Sequence, residues 1–118
     1  MQTKTLLKAV LEDLDDLKAL NVSSLDVHDF TSVTDYMVIA TGNSNRHVRS
    51  LAENILRNMK ERHVPVLGTE CDHDCEWALV DLGDVVVHIM QARTREFYQL
   101  ERLWSPSHAQ SYAKALNS

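Results

Sequence analysis

Glycine, cysteine, proline and positive charge are all in short supply in this chain, and each shortage removes a class of protein. Three glycines in 118 residues leave no glycine-rich phosphate-binding loop: Gly42, in Gly42-Asn43-Ser44, stands alone before a helical stretch and reads as turn and cap. Two cysteines, Cys71 and Cys75, are too few and too close in sequence for a disulfide framework, so reduced thiols are expected. Two prolines, Pro65 and Pro106, punctuate the chain without forming a linker, and no internal repeat is present. No apolar run approaches the roughly 20 residues that span a bilayer. The start, MQTKTLLKAVLEDLDD, turns acidic where a signal peptide needs an apolar segment and a small-residue cleavage site, so a cytoplasmic protein without a membrane partner is expected. Twelve Lys and Arg against 17 Asp and Glu give a net charge of −5. That balance argues against a protein that tracks nucleic-acid phosphates and allows a basic protein partner.

What is present fits one domain with a genuine core: 44% of residues are hydrophobic and 25% charged. The organising stretch runs from Trp77 to Trp104. Trp77–Leu82 and Val85–Met90 are apolar on both faces, as central strands are, and Gly83 supplies the turn of a hairpin expected at the sheet's centre. Thr94 is placed to cap a helix whose Phe97, Leu100 and Leu103 or Trp104 recur at helical spacing, until Ser105-Pro106 stops it. Earlier, Leu6, Leu7, Val10, Leu11, Leu14, Leu17 and Leu20 mark a first helical stripe with Glu12, Asp13, Asp15 and Asp16 on or beside its wet face. Ser24–Val27 and Asp35–Ala40 predict two strands joined as a hairpin. After the caps of Thr41–Ser44, Val48, Leu51, Ala52, Ile55, Leu56 and Met59 line a second helix, which Pro65 prevents from continuing. Val66–Glu70 is weak strand material. The order gives an α+β fold, one domain with a mixed five-stranded sheet packed with helices. Residues 105–118 form a small, polar, flexible tail expected to fray.

Chemistry-bearing residues do not assemble into a catalytic set. Cys71, His73 and Cys75, with His63 or an aspartate as a fourth, are zinc donors by type, but in an extended chain alternate residues stand about 7 Å apart, from a rise of roughly 3.3 Å each. No second ligand pair exists, and a polar loop is the expected outcome, with neither metal nor cofactor. The same alternation gathers Glu70, Asp72, Asp74 and Glu76 on the opposite face as a dense negative patch. Asp35, Asp81 and Asp84 are the carboxylates that would hold magnesium in nucleotidyl transfer, with structural roles favoured. No nucleophile motif occurs. His88 sits in an apolar strand, where a hydrogen-bonded, semi-buried imidazole is the plain reading. Arg46, His47 and Arg49, like Arg93 and Arg95, are small basic clusters, able to touch a phosphate but not an RNA-binding motif.

Three motifs carry a resemblance: Thr34-Asp35-Tyr36-Met37-Val38-Ile39-Ala40-Thr41-Gly42-Asn43-Ser44-Asn45-Arg46-His47, then Trp77-Ala78-Leu79-Val80-Asp81-Leu82-Gly83-Asp84-Val85-Val86-Val87-His88, then Phe97-Tyr98-Gln99-Leu100-Glu101-Arg102-Leu103-Trp104. Together they resemble the ribosomal silencing factor (Iojap-like) family over residues 1–104. The resemblance implies a nucleotidyltransferase-like topology without the reaction: a non-enzymatic translation repressor that binds the large ribosomal subunit at its intersubunit face and blocks joining of the small subunit when nutrients are short. It implies docking on a basic large-subunit protein, protein L-fourteen, with at most a minor contact to ribosomal RNA. Where the family commonly has Glu-Gly, this chain has Glu70-Cys71, a departure that leaves room for a metal or redox feature of its own. Trp77, Tyr98 and Tyr36 are the aromatic contact candidates, each equally suited to a core role. Glu70, Asp72, Asp74 and Glu76 are the acidic candidates, and His88 is a further one. A homodimer through the exposed sheet or a helix is compatible with the pattern. The competing reading is a metal-dependent nucleotidyltransferase-like enzyme using Asp35, Asp81 and Asp84.

Overall fold

The computed structural model describes residues 2–71 and 74–100. Eight elements follow in the expected order: α1 (Thr3–Asp16), β1 (Leu20–Asp26), β2 (Tyr36–Gly42), α2 (Asn45–Glu61), β3 (Gly68–Cys71), β4 (Trp77–Asp81), β5 (Val85–Gln91) and α3 (Ala92–Tyr98). The strands form one mixed sheet in the order β1-β2-β5-β4-β3. Only β2 and β5 run parallel, the other neighbours being antiparallel. The centre is therefore β5 rather than the β4–β5 hairpin as a whole. Its residues from Val85 to Met90 are all buried, whereas β4 alternates between half-buried and buried positions.

Strand alternation divides the apolar residues into two layers. On one face α1 and α2 lay Leu6, Val10, Leu14, Val48, Leu51, Ile55 and Met59 over Val38, Ala40, Ala78, Val80, Val87 and Ile89. On the other, a smaller cluster of Val27, Met37, Ile39, Met90 and Leu100 has Leu25 and Trp77 packed against it. Among the described residues, one face is thus roofed by two helices and the other only in part, by α3 and Leu100.

Several boundaries differ from the sequence pattern. The leucine stripe predicts helix through Leu20, but α1 stops at Asp16 because Lys18 takes φ +61° and the N–H groups of Lys18 and Ala19 turn back onto Asp15 and Leu14. Leu20 instead pairs with Thr41 in β1. Strand β2 continues through Thr41 to Gly42, beyond its expected end at Ala40. Ser44 does cap α2, its hydroxyl accepting from His47 N–H at 3.0 Å. Thr94 is not a cap: Gln91 holds that position, and Thr94 lies buried inside α3. Gln99, at φ +48°, closes α3 after seven residues. Leu103, Trp104 and the tail 105–118 fall outside the described residues.

Cys71 and Cys75 are joined by a disulfide rather than held as reduced thiols, with Cα atoms 5.1 Å apart. The antiparallel pairing of β3 with β4 brings the end of one strand near the entry to the other, so a separation of four in sequence becomes a Cα distance within disulfide reach. Between the helices, buried Asp13 accepts from Asn58 Nδ2 and from both terminal nitrogens of Arg62, at 2.9, 2.9 and 3.1 Å. Asn54 Nδ2 meanwhile donates to the Asp13 main-chain oxygen at 3.1 Å.

Gly83 takes φ +84° at the hairpin turn, as its position required. Gly42 is held for a different reason. A Cβ there would lie 2.7 Å from Val48 Cγ2 and 3.0 Å from Val48 N, so only glycine lets the end of β2 approach the first turn of α2 this closely. Gly42→Ala is expected to cost about 1–3 kcal/mol of stability through overpacking, read as a lower denaturant midpoint in urea unfolding. An unchanged midpoint would show that the β2–α2 junction yields without cost.

Candidate partner-binding face

The thinly roofed side of the sheet carries the features that set this chain apart from a plain core. Trp77 and Leu79 of β4 stand opposite Met90 and His88 of β5 on this face. The indole Nε1–H of Trp77 donates to Nδ1 of His88 at 2.9 Å, a diagonal cross-strand bond. An Nδ1 that accepts leaves the ring's own proton on Nε2, so this imidazole is neutral. His88 is only 3% exposed, and burial pushes its pKa down to about 4. The histidine thus serves as a fixed, uncharged support beneath the indole.

Above that support the aromatics extend outward. Tyr98 sits 4.8 Å from Trp77, centroid to centroid, and Phe97 meets Tyr98 edge-on at 5.0 Å. Tyr98 is 50% exposed and Phe97 79% exposed, so the chain leaves two large rings in solvent beside a half-buried tryptophan. Next to them a cleft of about 590 Å³ is lined by Thr69, Glu70, Cys71, Trp77 and Leu79. On the α3 side Glu76 pairs with Arg93, beside Thr94, Phe97 and Tyr98. The aromatic group is therefore flanked by carboxylates at both edges.

Of the residues the sequence nominated, Trp77, Tyr98, His88, Glu70 and Glu76 come together here. Tyr36 does not: its parity with Val38 and Ala40 puts it against the helix-covered cluster on the opposite face. The expected single acidic face is also broken. Glu70 remains on edge strand β3, while Asp74 lines a separate groove with Asn45, Arg46, Arg49, Ser50 and Glu53. Asp72 and His73 fall outside the described residues. An alternating run makes one face only while the chain stays extended, and here it turns, with Cys75 at φ +52°. Phe97, at helical spacing with Leu100, faces solvent whereas Leu100 is buried. The available signal was the Phe97-Tyr98 doublet itself, since adjacent helical positions do not face the same way.

Other candidates serve local structure. Asp81 accepts from Gly83 N–H in the hairpin turn at 2.9 Å, and Asp84 accepts from the Thr3 hydroxyl at 3.1 Å. Among the described residues, no three histidine, cysteine or acidic groups stand close enough to share a metal ion. Arg95 fastens α3 to the sheet through Thr41 Oγ1 at 2.9 Å and Ser23 Oγ at 3.2 Å, so with Arg93 paired to Glu76 the basic cluster before α3 is engaged internally.

A model of the family described as "Ribosomal silencing factor during starvation" matches residues 1–117. The chain belongs to the ribosomal silencing factor family. A ribosomal silencing factor of Chromobacterium violaceum is 40% identical over 117 residues, covering 97% of this chain and 96% of that protein. A crystal structure from the same organism, also 40% identical, has a TM-score of 0.86 over 88% of this chain and 87% of its own. A Mus musculus protein named "Mitochondrial assembly of ribosomal large subunit protein 1" is 37% identical over 75 residues, 61% of this chain and 33% of that protein. The silencing factor family is named for a regulatory role at the ribosome and not for a reaction. Among the described residues, no helix is long and apolar enough to cross a membrane.

Proposed function

We propose that this chain is a translation repressor that binds the large ribosomal subunit at its intersubunit face and sterically blocks joining of the small subunit, above all when nutrients are limiting. The observation that carries the reading is the Trp77–Tyr98–Phe97 cluster, an apolar projection beside an open cleft in a family of ribosomal silencing factors. Touching aromatics on a supported base make the desolvated centre of a protein interface, and the exposed Glu70 at its edge suits a basic partner. That partner is a basic protein of the large subunit, and L-fourteen is the one the family implies. The exposed Arg46 and Arg49 allow a minor contact with ribosomal RNA, and the place of action is the cytoplasm. Repression needs no turnover: a bound domain excludes the second subunit, and inhibition follows occupancy. The binding domain in this reading is residues 1–104.

Cosedimentation with isolated large subunits tests this. The wild-type chain is expected to pellet with them, which an enzyme acting on a soluble substrate has no reason to do. Tyr98→Ala is expected to cost about 2 kcal/mol of binding, roughly a thirtyfold loss of affinity, with little change in melting temperature because half of the side chain is already in water. A Tyr98→Ala protein that pellets like wild type would remove this face from the interface.

A further inference from the structure

The disulfide that departs from the sequence expectation lies at the end of β3, where Cys71 stands opposite Ala78 of the helix-covered layer and also borders the cleft beside Trp77. Cys71 is the last residue of β3, exposed, and part of the wall of the cleft that Trp77 and Leu79 also line. Cys75 is fully buried, packs into the core beneath α1 and α2, and stands two residues before Trp77. The bond therefore ties the mouth of the cleft to the core. Cys75 is also held at φ +52°, a backbone region that residues with a Cβ seldom occupy, and Glu76, next along, carries the ion pair to Arg93.

We propose that the Cys71–Cys75 disulfide is a redox-operated latch that fixes the shape of the Trp77 face, so that the oxidised chain binds its ribosomal partner more tightly than the reduced chain. This rests on the reading of that face as the partner surface. Exposure sets the order of events: the thiolate of a small dithiol attacks Cys71 Sγ, a mixed disulfide forms, and Cys75 leaves as a thiolate that takes up a proton. The second thiol of the reductant then displaces Cys71. In sum two electrons and two protons pass to the protein, one S–S bond becomes two thiols, and the dithiol becomes a cyclic disulfide. Oxidation runs the other way, with a low-molecular-weight disulfide accepting the two electrons and leaving as two thiols. With the bond open, Cys75 is no longer obliged to keep its left-handed backbone, and the entry to β4 gains conformations that binding must then remove. Fixing one residue's backbone again corresponds to a loss of affinity on the order of fivefold.

The experiment compares the chain oxidised with glutathione disulfide and reduced with dithiothreitol, each freed of reagent and its thiol state confirmed by mass. Two quantities are measured: affinity for isolated large subunits, and the NMR signal of the Trp77 indole N–H. The expected result is a roughly fivefold tighter oxidised form and a shifted indole signal. Both differences should vanish in a chain carrying Cys71→Ser and Cys75→Ala, which should match the reduced wild type under either treatment. Equal affinities in the two redox forms would overturn the latch, as would an indole signal that ignores the redox state. If neither form pellets with the subunits, ribosome docking fails as the function. The indole signal then decides the latch by itself: a redox-dependent shift lost in the double variant upholds it, and its absence overturns it.

Discussion

Arg62→Ala is expected to remove about 3 kcal/mol of stability, a large share of the 5–15 kcal/mol typical of a single domain. Asp13, in α1, is 1% exposed, and its carboxylate is bridged by both terminal nitrogens of Arg62 at the end of α2. Truncating the arginine leaves that charge buried with only Asn58 to answer it. The partner effect is visible on the other side too, since the hydrogen bond to Asp13 raises the Arg62 pKa above its ordinary value. A buried ion pair differs in one respect from an apolar contact, because replacing both members removes the uncompensated charge. Asp13→Leu combined with Arg62→Met should therefore regain most of the loss. Urea unfolding of the single and double variants measures this. A loss below about 1 kcal/mol for Arg62→Ala would mean that the 31% exposure of its side chain lets solvent screen the pair to surface strength.

Acid is expected to weaken the fold through His88. The group titrates near 6.5 when unfolded and at about 4 when folded, its charged form being penalised by burial. Below pH 6.5 the unfolded chain holds more protons at this site than the folded one, so stability falls as pH falls, and the loss is complete below about pH 4. Its full size is about 3 kcal/mol at 1.36 kcal/mol per unit. Protonation also places a hydrogen on Nδ1, the atom that accepts from Trp77, so the bond under the indole must break. Carboxylates titrate over part of the same range, and His88→Leu separates the two: the variant should show a flatter stability curve between pH 6.5 and 4. Following the imidazole by NMR gives the direct reading. Protonation at pH 6 in the folded chain would contradict a neutral, buried role.

How much of this was legible in the sequence follows from which forces are local. The helix α2 could be read because its apolar spacing and the Ser44 cap both act within a few residues. Strand β5 could be read because an apolar run buried on both faces has few alternatives once Gly83 turns the chain before it. Leu17 and Leu20 misled because they keep helical spacing, while a left-handed Lys18 takes the chain out of the helix. The division of the candidate site was out of reach for a related reason. Tyr36 and Trp77 are both half-buried strand aromatics, and only the register of β2 on β5 and of β5 on β4 places them on opposite faces. The acidic alternation read as one surface since nothing local announces that Cys75 adopts a positive φ. The Trp77–His88 bond spans two strands, and the apolar neighbours of His88 announced burial without naming the donor.

The parallel pairing of β2 with β5 also dictates when this protein becomes a protein during its own synthesis. Tyr36 finds its partner only at Val85, and every strand and helix from α2 to β4 is made between them. Until that length has left the ribosome, Met37 and Ile39 have no β5 beside them, and the central strand of the sheet does not yet exist. The early half of the chain consequently lacks the middle of its sheet: α1, β1, β2 and α2 can pack on one another, but the inner edge of β2 stays open until β5 is made. Folding must wait for a non-local closure, which favours slow, late and all-or-none assembly over stepwise growth from the N-terminus. A chain cut short before Val85 lacks the strand that pairs with β2 along its inner edge, and is expected to be prone to aggregation for that reason.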